Sequence, residues 1–349
     1  MALLSWIVFI NVVLLVRAEP LDTEGLFAEE WRLWKGEHKI TYQSSEEEGK
    51  RYSIWQDNMK YIDEHNAKNL SFTLRMNQFG DLTSEEYSSI YTCHIVSNEN
   101  SDEVIGQKYN PPRDVELPYS IDWRKKSVVT YVKSQGEYRC HSCYAFSTVG
   151  SIESHHAIST GSRVRLSEQN VIDCSTGYGN AGCNGGNYRN TFKYILENGG
   201  GIDTQNYYPY KAMDKTCRYN SAKIGATISG VYYIQSKSES DLKSAVGLVG
   251  PVIVSIDHRH KSFQARNIES SYSYIRFYGG GIYSETECYS NYYLLTHEML
   301  VVGYGTYQNI DYWIVKNSYG SSWGGWGYMR ILRGENMCGI ATDAAFPVI

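Results

Sequence analysis

Three side chains in this sequence belong to the types that carry out nucleophilic chemistry together. Cys143 stands in Cys140-His-Ser-Cys143-Tyr-Ala-Phe-Ser147, His297 in Thr296-His297-Glu-Met-Leu-Val-Val-Gly-Tyr-Gly305, and Asn317 in Tyr312-Trp-Ile-Val-Lys-Asn317-Ser-Tyr-Gly320. A thiolate nucleophile needs an imidazole within hydrogen-bond reach, and that ring needs an amide to hold its tautomer. The elements around the three suit the task. Ala145, Phe146, Val149 and Ile152 mark one side of a helix that begins at the cysteine, and a helix N-terminus favours thiolate. His297 heads a strongly apolar strand, and Asn317 ends another just before the cluster Trp323-Gly-Gly-Trp326-Gly-Tyr328.

The whole chain has room for such a site. Its 349 residues, 42% hydrophobic and 20% charged, make one large or two smaller globular domains. After the N-terminus no apolar run approaches the ~20 residues of a membrane span. Met1–Ala18 reads as a signal peptide, with Val16-Arg17-Ala18 at the cleavage end. That sends the chain into the secretory pathway, toward a lysosome or the exterior. Eight cysteines in an oxidising compartment are mostly bridged. Seven follow position 139, so one thiol among them has a separate task. A single secreted cysteine is more often half of a bridge; parity and context favour Cys143 as that thiol.

Charge divides the chain. Residues 1–116 carry 11 Lys/Arg against 20 Asp/Glu, and residues 117–349 carry 22 against 18, giving −9 and +4. Neither part is basic enough for nucleic acid to be the partner; the two parts are expected to bind each other. In the first part Glu47, Arg51, Trp55, Asn58, Ile62 and Asn66 share one helical face. Phe27, Trp31 and Trp34 have the same spacing and can pack on that helix. Asn77, Phe79 and Asp81 come next. A polar stretch from Ser97 to Glu103, then Pro111-Pro112 and Leu117-Pro118, reads as a protease-accessible linker.

In family order, Gln135-Gly136, Cys140-x-Ser-Cys143-x-Ala-Phe, Leu166-Ser-Glu-Gln-Asn170, Gly182-Cys-Asn-Gly-Gly186, Tyr207-Tyr-Pro-Tyr210, His297, Lys316-Asn317-Ser318 and Cys338-Gly-Ile340 resemble papain-family cysteine peptidase precursors of the cathepsin L branch, with its silicatein offshoot. The resemblance implies an α+β fold of two subdomains, one helical and one a β-barrel, with the active-site cleft between them. It divides the chain into a signal peptide (1–18), a helical inhibitory propeptide crossing the cleft (19–116) and a mature domain (117–349). It makes the protein a cysteine endopeptidase zymogen without cofactor or metal, acting on proteins or peptides, its propeptide serving as intramolecular inhibitor. Cys143, His297 and Asn317 become nucleophile, acid–base and orienter, and Gln135 an oxyanion donor. Asn184, Gly185, Gly186, Asn187, Leu295, Thr296, Trp323 and Asp343 line the substrate groove. Family pairing implies the bridges Cys140–Cys183, Cys174–Cys217 and Cys288–Cys338, each adding ~2–4 kcal/mol, with Cys93 left over in the propeptide.

Several positions depart from that pattern. Gln135 lies eight residues before Cys143 where the family has six, and Glu137 holds the six-back place. His141 replaces a glycine, Glu298 a small residue, Tyr319 a tryptophan and Arg75 a glycine of the propeptide motif. Asp343 sits where the family lines its main specificity pocket; a carboxylate there prefers a basic substrate residue unless a neighbour caps it. Tyr144, Tyr178-Gly-Asn180 and Ser236-Lys-Ser-Glu-Ser-Asp-Leu242 resemble silicateins, although those usually carry serine where this chain keeps Cys143. An insertion between Phe263 and Ile275 and 31 tyrosines offer hydroxyls to silicic acid or silica. A silica-condensing protein and an inactive binding homologue are therefore the alternatives to a peptidase. His155-His156, His258 and His260 lack ligand spacing for a metal and read as surface residues.

Overall fold

A computed structural model of the chain describes residues 23–95, 106–136, 140–258, 274–285 and 287–349. The signal peptide, the polar linker stretch, Glu137, His260 and nearly all of the 263–275 insertion lie outside the described residues. Residues up to Tyr52 and residues from Ser53 onward form two compact units. In the first, helix α1 (Thr23–His38) precedes the start of α2 (Ser45–Asn66). Trp31 stacks on Trp34 and Tyr42 with centroids 5.1 and 5.9 Å apart, and tilts against Tyr52 of α2 at 5.5 Å. The expected aromatic packing on the second helix is made there.

In the second unit the polar face of α2 works through Asn58, whose Nδ2 donates to the carbonyls of Gly80 (2.6 Å) and Leu82 (3.0 Å). That fixes the turn around Asn77–Asp81 and starts α3 (Ser84–Tyr91), which has a reciprocal capping box between Thr83 and Glu86. Beyond it lie two hydrophobic cores. One surrounds α4 (Cys143–Thr160), with α5 (Glu168–Cys174) and α6 (Tyr188–Glu197) supplying Val171, Ile172, Phe192 and Ile195. Since α4 buries nearly its whole circumference, it is apolar or hydrogen-bonded all round rather than striped. The other core lies at the sheet, beside α7 (Glu239–Leu248), and contains Ile62, Phe72, Phe79 and Tyr87 of the N-terminal segment together with Val254, Tyr304 and Trp313.

The sheet is centred on the strand His297–Tyr307. It pairs antiparallel with Ile310–Lys316 on one side and Val252–Ile256 on the other. Gln308 and Asn309, at φ 50 and 63°, form the two-residue turn of the first pairing; positive φ at both positions matches the turn to the right-handed twist of its strands. A Cβ on Gly303 would collide with the Ile121 carbonyl, where the short strand Ile121–Asp122 crosses. Tyr328–Leu332 lies beyond Ile310–Lys316; Ala344–Val348 and Gly230–Tyr233 lie beyond Val252–Ile256. At the far edge Gln107–Lys108 adds itself parallel to Gly230–Tyr233, and Phe72–Leu74 pairs with Tyr278–Gly281. Two separate segments of the N-terminal part thus pair with strands from the C-terminal half of the chain. The apolar strand expected to begin at His297 is present and runs to Tyr307, and the one expected to lead up to Asn317 is Ile310–Lys316.

Candidate active site

Cys143 opens α4, and the loop before it is tied down. Cys140 is bridged to Cys183, the His141 N–H donates to the Cys183 carbonyl at 2.9 Å, and the Ser142 hydroxyl meets that of Tyr210 at 3.0 Å. Facing it, His297 is the first residue of the central strand and is fully buried. Its Nε2 lies 2.9 Å from Asn317 Oδ1, an atom that also accepts the Ser318 N–H at 2.8 Å. That second donor identifies the atom as the amide oxygen, so Nε2–H donates and Nδ1 keeps its lone pair. Nδ1 points at sulfur: Cys93 Sγ is 3.3 Å away. Burial holds the imidazole pKa down at about 4, opposed by the Asn317 hydrogen bond and assisted by His94 nearby. The ring is therefore neutral in this form. Tyr319 stacks over it at 5.1 Å and 27°, and Trp323 meets Tyr319 edge-on at 5.6 Å. Trp323 itself is fully buried, its indole N–H donating to the Arg276 carbonyl at 3.1 Å.

The expectation for the sulfurs needs a correction. Cys140–Cys183, Cys174–Cys217 and Cys288–Cys338 are bridged, but Cys143 is not a lone thiol and Cys93 is not left over: the two are bonded to each other, Cα atoms 5.8 Å apart. Parity counted within residues 140–349 set Cys93 aside, but the N-terminal segment folds onto the site and brings it to Cys143. Residues 93–95 run between the two walls of the groove. The Cys93 and His94 N–H groups both donate to the Thr296 carbonyl (3.1 and 3.2 Å), Gly186 N–H donates to the Cys93 carbonyl (2.9 Å), and Ile95 N–H donates to the Gly186 carbonyl (2.8 Å). Asn187 Nδ2 adds a bond to the Ile95 carbonyl at 2.9 Å. Gly185 is at φ 111°, and a Cβ there would press on the Cys93 carbonyl at 2.9 Å. Of the expected groove residues, Gly185, Gly186, Asn187 and Thr296 thus touch this segment; Leu295 is buried beside Gly339, and Asn184 is exposed.

Two of the departures also engage it. Glu298, buried, accepts from the Ser147 hydroxyl (2.9 Å) and the Tyr188 N–H (3.0 Å), and pairs with His94 Nδ1 at 2.9 Å. Its own N–H points at Cys143 Sγ, 3.3 Å away. The His141 ring, half-buried with its pKa lowered by that burial, bonds the Thr92 carbonyl. Arg75 reaches the Gly324 carbonyl at 2.9 Å. His94 and Thr92 carried no motif, and only the position of Cys93 in a segment expected to cross the cleft pointed to them.

Gln135 is buried, with Nε2 3.5 Å from the Cys140 carbonyl and Oε1 accepting from the Ser318 hydroxyl at 2.7 Å. Its amide therefore faces the nucleophile loop despite the altered spacing. Asp343 does not present a free carboxylate. It is buried, receives the Tyr188 hydroxyl and the Arg189 guanidinium, and takes the Ser255 hydroxyl at 3.2 Å. The capped alternative holds, and the preference for a basic substrate residue loses its physical basis. His155 and His258 are buried rather than on the surface: His155 Nε2 bonds the Pro251 carbonyl at 2.9 Å, and His258 Nδ1 meets the Thr296 hydroxyl at 2.7 Å.

The fold and this groove define a class that comparison with known proteins gives directly. Residues 117–348 match the papain family cysteine protease model, and residues 31–87 match the cathepsin propeptide inhibitor domain. The chain belongs to the papain family of cysteine proteases and is a cathepsin L-like proenzyme. It is 38% identical over 363 aligned positions to the silicatein of Petrosia ficiformis, covering 100% of both chains. It is 41% identical over 349 positions to cathepsin L of Sarcophaga peregrina, covering 97% of each. Among solved structures, digestive procathepsin L 3 of Tenebrio molitor larval midgut aligns at TM-score 0.81 and 39% identity, over 93% of this chain and 99% of that one.

Proposed function

We propose that this protein, once its propeptide is removed, is a cysteine endopeptidase acting on protein substrates. The observation that carries the reading is the His297 ring, tied by Nε2 to Asn317, with Nδ1 facing Cys93 Sγ and the Cys143 sulfur within 4.8 Å of the ring's ligand nitrogen. In this mechanism the Cys143 thiolate, at the positive end of α4, attacks the scissile carbonyl. The oxyanion is met by the Cys143 backbone N–H, one of the unpaired first-turn donors of the helix, and by the Gln135 amide. His297 then protonates the leaving amine, and Asn317 keeps the ring in place. Gly186 and Thr296, which hydrogen-bond the backbone of residues 93–95, offer the same groups to an extended substrate. Signal-directed entry to the secretory pathway, ending in a lysosome or outside the cell, fits this role. The deciding measurement is peptide-amide turnover by acid-processed, thiol-treated protein with and without Cys143→Ala. Loss of turnover in the variant supports the reading, and equal turnover refutes it.

A second reading has one specific support, the end-to-end similarity to a silicatein. It predicts that the same preparation precipitates silica from a silicon alkoxide and leaves peptide amides intact.

A further inference from the structure

We propose that the proenzyme is shut by a covalent latch: the propeptide thiol of Cys93 is disulfide-bonded to Cys143, and activation requires reduction of this bridge as well as removal of the propeptide. The activity half rests on the reading of Cys143 as nucleophile; the bridge itself does not.

Three independent observations place the two sulfurs together. The Cα atoms lie 5.8 Å apart, inside the span a bridge accepts. Backbone hydrogen bonds from Thr296 and Gly186 hold Cys93 from both sides, so its side chain is delivered by a fixed strand rather than by a wandering tail. The flanking residues are anchored by groups that depart from the family pattern: His141 takes the Thr92 carbonyl and Glu298 takes His94. With the other six cysteines paired among themselves, no cysteine is left free. In an oxidising compartment two thiols so held are converted to the disulfide.

The chemistry balances as thiol–disulfide exchange. A disulfide oxidant of the compartment accepts two electrons, the two thiols give up their protons, and two thiols of the oxidant are released through a mixed disulfide. In the reverse direction a small thiolate attacks the Cys93 sulfur, the S–S bond breaks, and its electron pair leaves on Cys143. Cys143 is the better leaving group, standing at the N-terminus of an 18-residue helix. A second thiolate clears the mixed disulfide from Cys93. What is set free is Cys143 already as thiolate. Because both sulfurs are buried, the reductant reaches them after residues 92–95 begin to lift.

The test uses the full-length proprotein secreted from an oxidising host. It is alkylated without reductant, digested and mapped by mass spectrometry. The expected product is a cross-linked peptide pair containing Cys93 and Cys143 that disappears after a small dithiol is added. At pH 4.5 an epoxide probe should label Cys143 of the wild type only after the dithiol step, and Cys93→Ser at least tenfold faster than the wild type without it. Alkylation of both cysteines in the unreduced protein overturns the latch. So does one zinc ion per chain held by two free thiols and His297, whose ligand atoms lie within 4.8 Å of one another. Should Cys93→Ser fail to be secreted, the mapping of the wild type decides alone. A mapped bridge with no probe labelling after reduction keeps the cross-link and overturns the activity half together with the peptidase reading.

Discussion

His94 Nδ1 and a Glu298 carboxylate oxygen meet at a hydrogen-bond distance of 2.9 Å, both side chains withdrawn from solvent. His94 comes from the acidic N-terminal part of the chain and Glu298 from the C-terminal part. Glu298 keeps two further donors when His94 is removed. His94→Ala should therefore leave the fold intact and weaken propeptide binding by about 1.5–3 kcal/mol, as expected for a hydrogen bond to a charged group. Processing in the presence of thiol, followed on gels at fixed pH, should be at least tenfold faster than in wild type. An unchanged rate would remove the pair from the closure mechanism.

Acid should open the proenzyme through buried neutral histidines. His297 is held down at a pKa of about 4 by burial, and burial also lowers His65, which bonds the Phe72 carbonyl at 3.1 Å, and His141. The sign comes from linkage. A histidine with a depressed folded pKa contributes stability that is present above the unfolded value near 6.5 and lost as pH falls toward the folded value. For His297 the loss reaches the order of 3 kcal/mol when pH 4 is passed. Urea denaturation of thiol-treated Cys143→Ala proenzyme should show stability falling between pH 6.5 and 4; a flat profile would contradict the account.

On the proposed mechanism, the roles of Asn317 and Gln135 separate kinetically. Asn317→Ala should lower kcat on the order of 10²-fold with little change in KM, because the ring loses its orientation but the groove stays intact. Gln135→Ala should cost about 2.7–4 kcal/mol of transition-state stabilisation. If Gln135→Ala retains full kcat, the shifted glutamine does not serve the oxyanion.

Asp343→Ala should act on stability and not on specificity. Removing it leaves the Arg189 guanidinium, stacked over Tyr233 at 4.5 Å, without its carboxylate. Breaking a buried pair from one side typically costs about 3–5 kcal/mol. The thermal midpoint should drop while the ratio of Arg to Leu cleavage at the second substrate position stays constant.

Much of this molecule is legible in its amino-acid sequence. The helix at Cys143, the strands bearing His297 and Asn317 and three of the bridges come from patterns with strong local or family signals. What escaped has one common cause, burial by a distant segment. Cys93 and His94 have meaning only when residues 93–95 lie against Thr296 and Gly186, a contact spanning some 200 positions in one direction. Glu298 read as a departure because its partner was out of sight. His155 and His258 read as surface residues because adjacent or spaced histidines carry no burial signal; a Pro251 carbonyl and a Thr296 hydroxyl satisfy them inside.

The pairing of Gln107–Lys108 with Gly230–Tyr233 gives the position of the maturation cut a structural weight of its own. A cut upstream of Gly106 leaves a short N-terminal cuff on the enzyme, shielding the rim of the sheet. A cut beyond Lys108 strips that cuff away and bares the backbone donors and acceptors of Gly230–Tyr233, a template for self-association. Trimming by a few residues thus decides whether that rim of the sheet stays covered.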